Sequence, residues 1–161
     1  MITKNLKNRF CSDAGSDTLS IDVLNSPRYL TIVKKAAITA LKSEGFTRAD
    51  LSLYFVSDPQ IRRLNRKYLS KNSYTDVLSF DLSIKKISGW FLSGDVVVSI
   101  DTAKRVSKKL GITFEEELCR YVIHGILHLT GYDDLTARDR RKMWKRQEYL
   151  LGRIMDKKLI S

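Results

Sequence analysis

The run TFEEELCRYVIHGILHLTG, residues 113–131, constrains this chain more than any other. Thr113 followed by Glu116 matches a capping box, and Gly131 permits the left-handed turn that ends a helix. Between those signals Val122, Ile123, Ile126, Leu127 and Leu129 leave the helix largely buried, so the rest of the chain has to cover it. The same helix carries both of the chain's histidines. His124 and His128 are four residues apart and project from nearly one face, where two imidazoles can reach a single ion at ~2.0–2.1 Å. After Gly131 the chain swings back, so Asp133 or Asp134 can supply a third ligand. Taken alone, an HxxxH pair also describes two satisfied core histidines.

The cover is legible as alternating strands and helices. TLSIDVLN (18–25) alternates like a strand, and SPRYLTIVKKAAITALKSEG (26–45) reads as a long helix. Ser26 is its expected N-cap, Pro27 its first helical residue and Gly45 its stop. ADLSLYFVS (49–57) alternates again, and Asp58 and Pro59 open the short helix IRRLNRKYL. TDVLSFDL (75–82) and SGDVVVSI (93–100) are two β-branched runs joined by a polar segment containing Gly89. Asp101 is the expected cap of a basic helix ending near Gly111, and a last helix starts at about Thr136. This order predicts a mixed α/β (α+β) fold: a small, mostly parallel sheet of about four strands under about five to six helices. No repeat, linker or composition break divides it, so residues 1–161 are expected to form one domain. A chain of this length buries roughly 68–70% of its unfolded surface.

Charge narrows the function. A net charge of +11 and a pI near 9.7 point to a polyanionic partner, nucleic acid ahead of an anionic membrane surface. The alternative is a plain solvated basic surface. Segment 59–71, PQIRRLNRKYLSK, has five basic residues (Arg62, Arg63, Arg66, Lys67 and Lys71) and no acidic one. From Arg138 to Lys158 the last helix has nine basic residues against three acidic. Cys11 and Cys119 form no CxxC pair, which favours a reducing cytosol. Cys119 falls about 140° around the helix from His124, so it reads as a small core residue rather than a ligand. The N-terminus lacks the apolar core of a secretory signal, and no apolar run approaches the ~20 residues needed to span a bilayer. These features together predict a cytoplasmic protein without membrane partners.

HGILHLTGYDD, together with LNRKYL…YTDVLSF and SGDVVVS, resembles the YbeY family, the bacterial metal-dependent endoribonucleases of ribosomal RNA maturation. The resemblance runs from about residue 50 to 148, with the motifs in the family's order and spacing. It implies an α/β fold with one zinc-like ion held by three side chains of the C-terminal-half helix and the turn after it. It also implies a single-strand-specific endoribonuclease in 3′-end maturation of small-subunit rRNA and ribosome quality control. Ribosomal proteins or assembly GTPases would be further partners. The motifs place Thr75, Asp76, Ser79, Gly94 and Asp95 near the site, where the other reading is turn and strand-end chemistry.

Two positions depart from the family pattern. The third histidine of HGxLHLxGYDH falls on Asp134, still a competent ligand at ~2.0–2.2 Å. Its negative charge should weaken the Lewis acidity of an ion held by His124, His128 and Asp134. Asp133 matches the family's own aspartate and is expected behind the ligands or capping the turn. The arginine after the tyrosine of LNxxYR is Leu69 here, leaving Arg66, Lys67 and Lys71 as substitutes; Arg66 is the catalytic candidate among them. For segment 59–71 the motif order predicts a place beside the TDVLSF strand and the metal, with Arg62, Arg63, Arg66, Lys67 and Lys71 as RNA contacts. Tyr68 and Tyr74 would stack on bases or serve as core and rim. Two other classes compete: a non-catalytic ribosome-assembly factor with a structural metal, and a metallopeptidase. The offsets H-x3-H-x2-G match metzincins, but the glutamate that would act as general base there is Gly125.

Overall fold

Alternating burial is clearest in β2, Arg48–Val56, whose side chains point by turns into a core and away from it. It pairs in parallel with β1, Leu19–Leu24, and with β4, Phe91–Ser99. β3, Val77–Asp81, adds to the far side of β4 in the antiparallel sense, giving the order β1-β2-β4-β3. This is a computed structural model and describes residues 18–25, 27–83 and 91–155. The five helices among those residues are α1 (Leu30–Ser43), α2 (Asp58–Leu69), α3 (Ile100–Leu110), α4 (Phe114–Leu129) and α5 (Ala137–Ile154). The mostly parallel four-stranded sheet and its helical cover are as the alternation predicts.

The sheet's two faces are covered unequally. Leu51, Leu53, Val77, Val96 and Val98 meet α1, α4 and α5 in the main core, with Val33, Ala37, Ile123, Leu127, Met143 and Leu150. On the other face a smaller cluster of Val56, Leu78 and Val97 packs under α2 through Ile61 and Leu64. The period of two along β3 and β4 makes this division: Val77, Ser79, Gly94 and Val96 face α4, whereas Leu78, Phe80, Asp95 and Val97 face away. α4 lies so close that a Cβ on Gly125 would sit 2.5 Å from Val96 Cγ1, and one on Gly94 would sit 2.9 Å from Leu129 Cδ1.

Helix ends differ from the sequence reading in two places. Pro27 opens a 3-10 turn, Pro27–Tyr29, and α1 begins only at Leu30; Ser26 lies outside the described residues. A proline's fixed φ suits either helix type, and short 3-10 turns commonly lead into α-helices. Asp101 is not the cap of α3: Ser99 is, accepting the Thr102 N–H at 3.2 Å. Asp101 Oδ2 instead takes the Asp58 N–H at 2.9 Å, satisfying a donor in the first turn of α2. Asp58 in turn accepts from Ser99 Oγ (2.5 Å), Thr102 Oγ1 (2.8 Å) and Arg105 Nη1 (2.5 Å), which locks α2 to α3. The polar segment around Gly89 falls outside the described residues.

Candidate metal centre and basic cleft

The end of α4 builds the histidine pair. Gly131 adopts φ +102°, letting Gly131 N–H reach His128 O and Tyr132 N–H reach Leu127 O, the bond pattern of a Schellman stop. That stop folds the Tyr132 carbonyl back to 3.1 Å from His128 Nδ1. A carbonyl only accepts, so His128 carries its proton on Nδ1. His124 Nδ1 lies 2.9 Å from Gln147 Oε1 on α5, and the amide's orientation is set because Gln147 Nε2 donates to Glu148 at 3.0 Å. In the neutral rings both Nε2 atoms would be left with lone pairs, and they face each other at 3.1 Å. A proton or a cation between them relieves that arrangement.

The turn brings in the third side chain. Asp133 Oδ1 accepts the Leu135 N–H at 2.6 Å and so caps the turn. Arg140 Nη1 donates to the carbonyls of Asp134 (3.1 Å) and Leu135 (3.2 Å), holding the backbone on which Asp134 sits. Ligand atoms of His124, His128 and Asp134 all lie within 4.8 Å of one another. Two imidazole nitrogens and one carboxylate form a donor set suited to a divalent ion. The group can bind a metal.

Behind His124 lies a charged cluster. Arg120 donates to Glu148 at 2.9 and 3.3 Å, to Glu116 at 3.3 Å and to Glu117. Burial works against the Arg120 charge, but Glu148 and Glu117 outweigh it and hold the guanidinium firmly protonated. Burial, followed by Glu117 and Asp76, pushes the Tyr121 phenol well above its ordinary range. The Cys119 thiol is pushed up to about 12 by burial and by Glu115 and Glu116, and its Sγ sits 3.8 Å from the Ile32 carbonyl. It is a core residue and takes no part in the site.

Residues singled out by the motifs distribute unevenly around this centre. Ser79 Oγ donates to the Gly125 carbonyl at 3.0 Å, one residue from His124, and Gly94 faces Leu129. Asp95 lies on the opposite sheet face, buried. Thr75 and Asp76 serve the start of β3: Asp76 Oδ1 accepts the Val77 N–H at 2.9 Å, and Ser99 N–H donates to the Asp76 carbonyl. The Gly125 contact also bears on the peptidase reading. A Cβ there would sit 2.5 Å from Val96 Cγ1 and 3.0 Å from Ser79 Oγ, which leaves no room for a glutamate without the sheet giving way.

Segment 59–71 lies beside β3 as expected, but across the sheet from the histidines. Ile61 and Leu64 hold α2 on the face that α4 does not touch. Pro59, Arg62, Arg63, Arg66, Asn72 and Tyr74 line an open cleft of about 470 Å³. Arg62 is fixed there by Asn72 Oδ1 at 3.0 Å and lies over the Tyr74 ring at 5.1 Å. Buried Asn65 shapes the wall, donating to the Ser73 carbonyl at 3.0 Å. Arg63 and Arg66 project into solvent. Lys67 lies over the Tyr68 ring rather than in the cleft, and Tyr68 packs edge-on against Phe80, whereas Tyr74 stays 55% exposed. Lys71 is exposed beyond the helix end, and Leu69 is 49% exposed on its last turn.

Known proteins resemble this chain in sequence and in fold. The family described as Endoribonuclease YbeY matches residues 16–155. The chain belongs to the YbeY family. The Endoribonuclease YbeY of Aquifex aeolicus is 40% identical over 123 residues, covering 76% of this chain and 81% of that protein. That of Oceanobacillus iheyensis is 38% identical over 136 residues, covering 79% and 88%. The solution structure of TM1509 from Thermotoga maritima superposes with a TM-score of 0.61 at 26% identity, over 85% of this chain and 90% of that one. Among the described residues of this YbeY protein, no helix is long and apolar enough to cross a membrane.

Two residues at the centre escaped the sequence reading. Arg140 gave no signal, because it is one of many basic residues on α5. Gln147 did give one: it interrupts the buried stripe Met143, Leu150, Leu151 and Ile154 with a polar side chain.

Proposed function

We propose that this YbeY protein is a single-strand-specific metallo-endoribonuclease that matures the 3′ end of small-subunit rRNA and serves ribosome quality control in the cytoplasm. His124, His128 and Asp134 would hold one divalent ion per chain, zinc by the nitrogen-rich donor set. The single observation that carries this reading is the pair of Nε2 atoms 3.1 Å apart, grouped with the Asp134 carboxylate within ligand reach of one another. When bound, such an ion polarises a phosphodiester and lowers the pKa of a coordinated water. The chain's own residues supply the rest. The Tyr132 carbonyl and Gln147 fix the imidazole rings, and Asp134 lowers the net charge of the centre. Arg62, Arg63 and Arg66 hold the RNA backbone along α2, with Lys67 and Lys71 adding to the field, and Tyr74 offers an exposed ring for a base. Arg66 takes the place of the family arginine. Ribosomal proteins or assembly GTPases would bring the enzyme to its substrate.

Leu69 favours a second reading, a ribosome-assembly factor whose metal staples α4 to the following turn, because an exposed leucine brings no charge to a phosphate. Metal content and cleavage of single-stranded RNA, measured on one untagged sample, separate the two. The enzyme reading expects about one ion per chain, cleavage that disappears with the ion, and a faster Leu69→Arg variant. Equal cleavage by wild type and His128→Ala would assign the activity to a contaminant and favour the assembly factor.

A further inference from the structure

Gln147 is a buried amide in an apolar stripe. It is 6% exposed and lies between Met143 and Leu150–Leu151 on the face of α5 that meets the core. A leucine or methionine would fill that place without the cost of burying an amide, which is offset only when both its ends are hydrogen-bonded. Both ends are used. Oε1 meets His124 Nδ1 at 2.9 Å, and Nε2 donates to Glu148 at 3.0 Å. Glu148 is held by Arg120, one turn before His124 on α4, so the chain of contacts leaves α4, crosses to α5 and returns to α4.

We propose that Gln147, oriented by Glu148 and Arg120, is a positioning residue that fixes the tautomer and ring of His124 for metal binding. The inference rests on the metal-centre reading above and adds what sets its geometry. The two histidines are fixed by different means. His128 gets its acceptor locally, from the carbonyl that the Gly131 stop folds back, whereas His124 gets its acceptor from another helix. One half of the donor set therefore comes with α4 and its stop, and the other half exists only once α5 has docked. The amide also answers a charge constraint. Glu116, Glu117 and Glu148 already converge on Arg120, and a neutral acceptor adds no fourth carboxylate. It passes the orientation of the Arg120–Glu148 pair to the imidazole while remaining uncharged.

The test is zinc affinity measured by competition with a chromogenic chelator on wild type, Gln147→Met and Gln147→Glu. Gln147→Met keeps the volume and removes the acceptor; it should weaken zinc binding by about 10- to 100-fold. Gln147→Glu keeps an acceptor oxygen but loses the donor to Glu148 and adds a fourth carboxylate, so it should recover part of that loss. Zinc affinity of Gln147→Met equal to that of wild type would overturn the proposal, as would equal losses in both variants, since packing rather than the acceptor would then be at stake. A measurement on wild type guards against variants that fail to fold. Imidazole nitrogen shifts should place the His124 proton on Nδ1 with or without zinc, and a proton on Nε2, or zinc on Nδ1, would overturn the assignment. A wild type that takes up no zinc yet keeps the Nδ1 proton would sink the metal-centre reading and spare the positioning role.

Discussion

The two faces of the sheet solve different problems. On the α4 face the candidate ligand atoms are half-buried, each imidazole has a fixed acceptor, and backbone as well as side chains hold the geometry. On the α2 face the core is small, and the candidate RNA contacts are long cations reaching into water, with Arg62 tied down by Asn72. Chemistry at one ion needs placement to within a fraction of an ångström, which packing and directional hydrogen bonds provide. Holding a polyanion needs charge density, which an exposed helix provides with no fixed geometry. The cleft and the histidines lie on opposite sides of β3 and β4, so an RNA strand that uses both must pass around the β3 edge of the sheet.

That contrast is easiest to break on the α4 face. Removing both histidines, with His124→Ala and His128→Ala together, should abolish stoichiometric metal and bring RNA cleavage to background, while RNA retention at low salt persists. Elemental analysis and a cleavage assay on the same sample would show it, and full metal occupancy would place the ion elsewhere. Next in size comes Gly125→Ala. Its Cβ would sit 2.5 Å from Val96 Cγ1 and 3.0 Å from Ser79 Oγ, so overpacking should cost about 1–3 kcal/mol in denaturant unfolding. A neutral result would mean that α4 can lift from the sheet more easily than the contact implies.

The α2 face should respond differently. Reversing the charges of Arg62, Arg63 and Arg66 should weaken RNA binding across sequences and leave metal content unchanged. If wild type contacts about four phosphates, log K should fall against log salt with a slope of about −3, and the triple variant should show a flatter line. Equal slopes would move the binding surface to α5. The smallest expected effect concerns the joint between α2 and α3. Burial raises the Asp58 pKa, but hydrogen bonds from Ser99, Arg105 and Thr102 outweigh it and hold the carboxyl below its ordinary value. A depressed folded value means stability that is present above the unfolded pKa of about 3.9 and lost as pH falls through the folded one. Asp58→Asn should therefore be less stable near neutrality and show a flatter acid limb in pH-dependent unfolding.

Local signals carried much of this far in advance. The period-two strands, the Thr113 cap and the Gly131 stop each depend on a few neighbouring residues, so the sheet content and the α4 boundaries could be read directly. The histidine spacing did the same for the two imidazoles that meet on one face of α4. Asp101 reads as a cap from local sequence, whereas the choice between Ser99 and Asp101 depends on Asp58, more than 40 residues away.

The sequence by itself determined the strands, the long buried helix, the paired imidazoles with a carboxylate after the glycine, and the excess of positive charge. These follow from periodicities and caps whose energetics act over one turn or one strand. Only the tertiary structure decided that the basic helix lies across the sheet from the histidines. It also set Gly125 against Val96 and placed a glutamine from α5 behind His124. Each of those depends on which faces of distant elements meet, and a burial pattern states that a face is covered without stating by what.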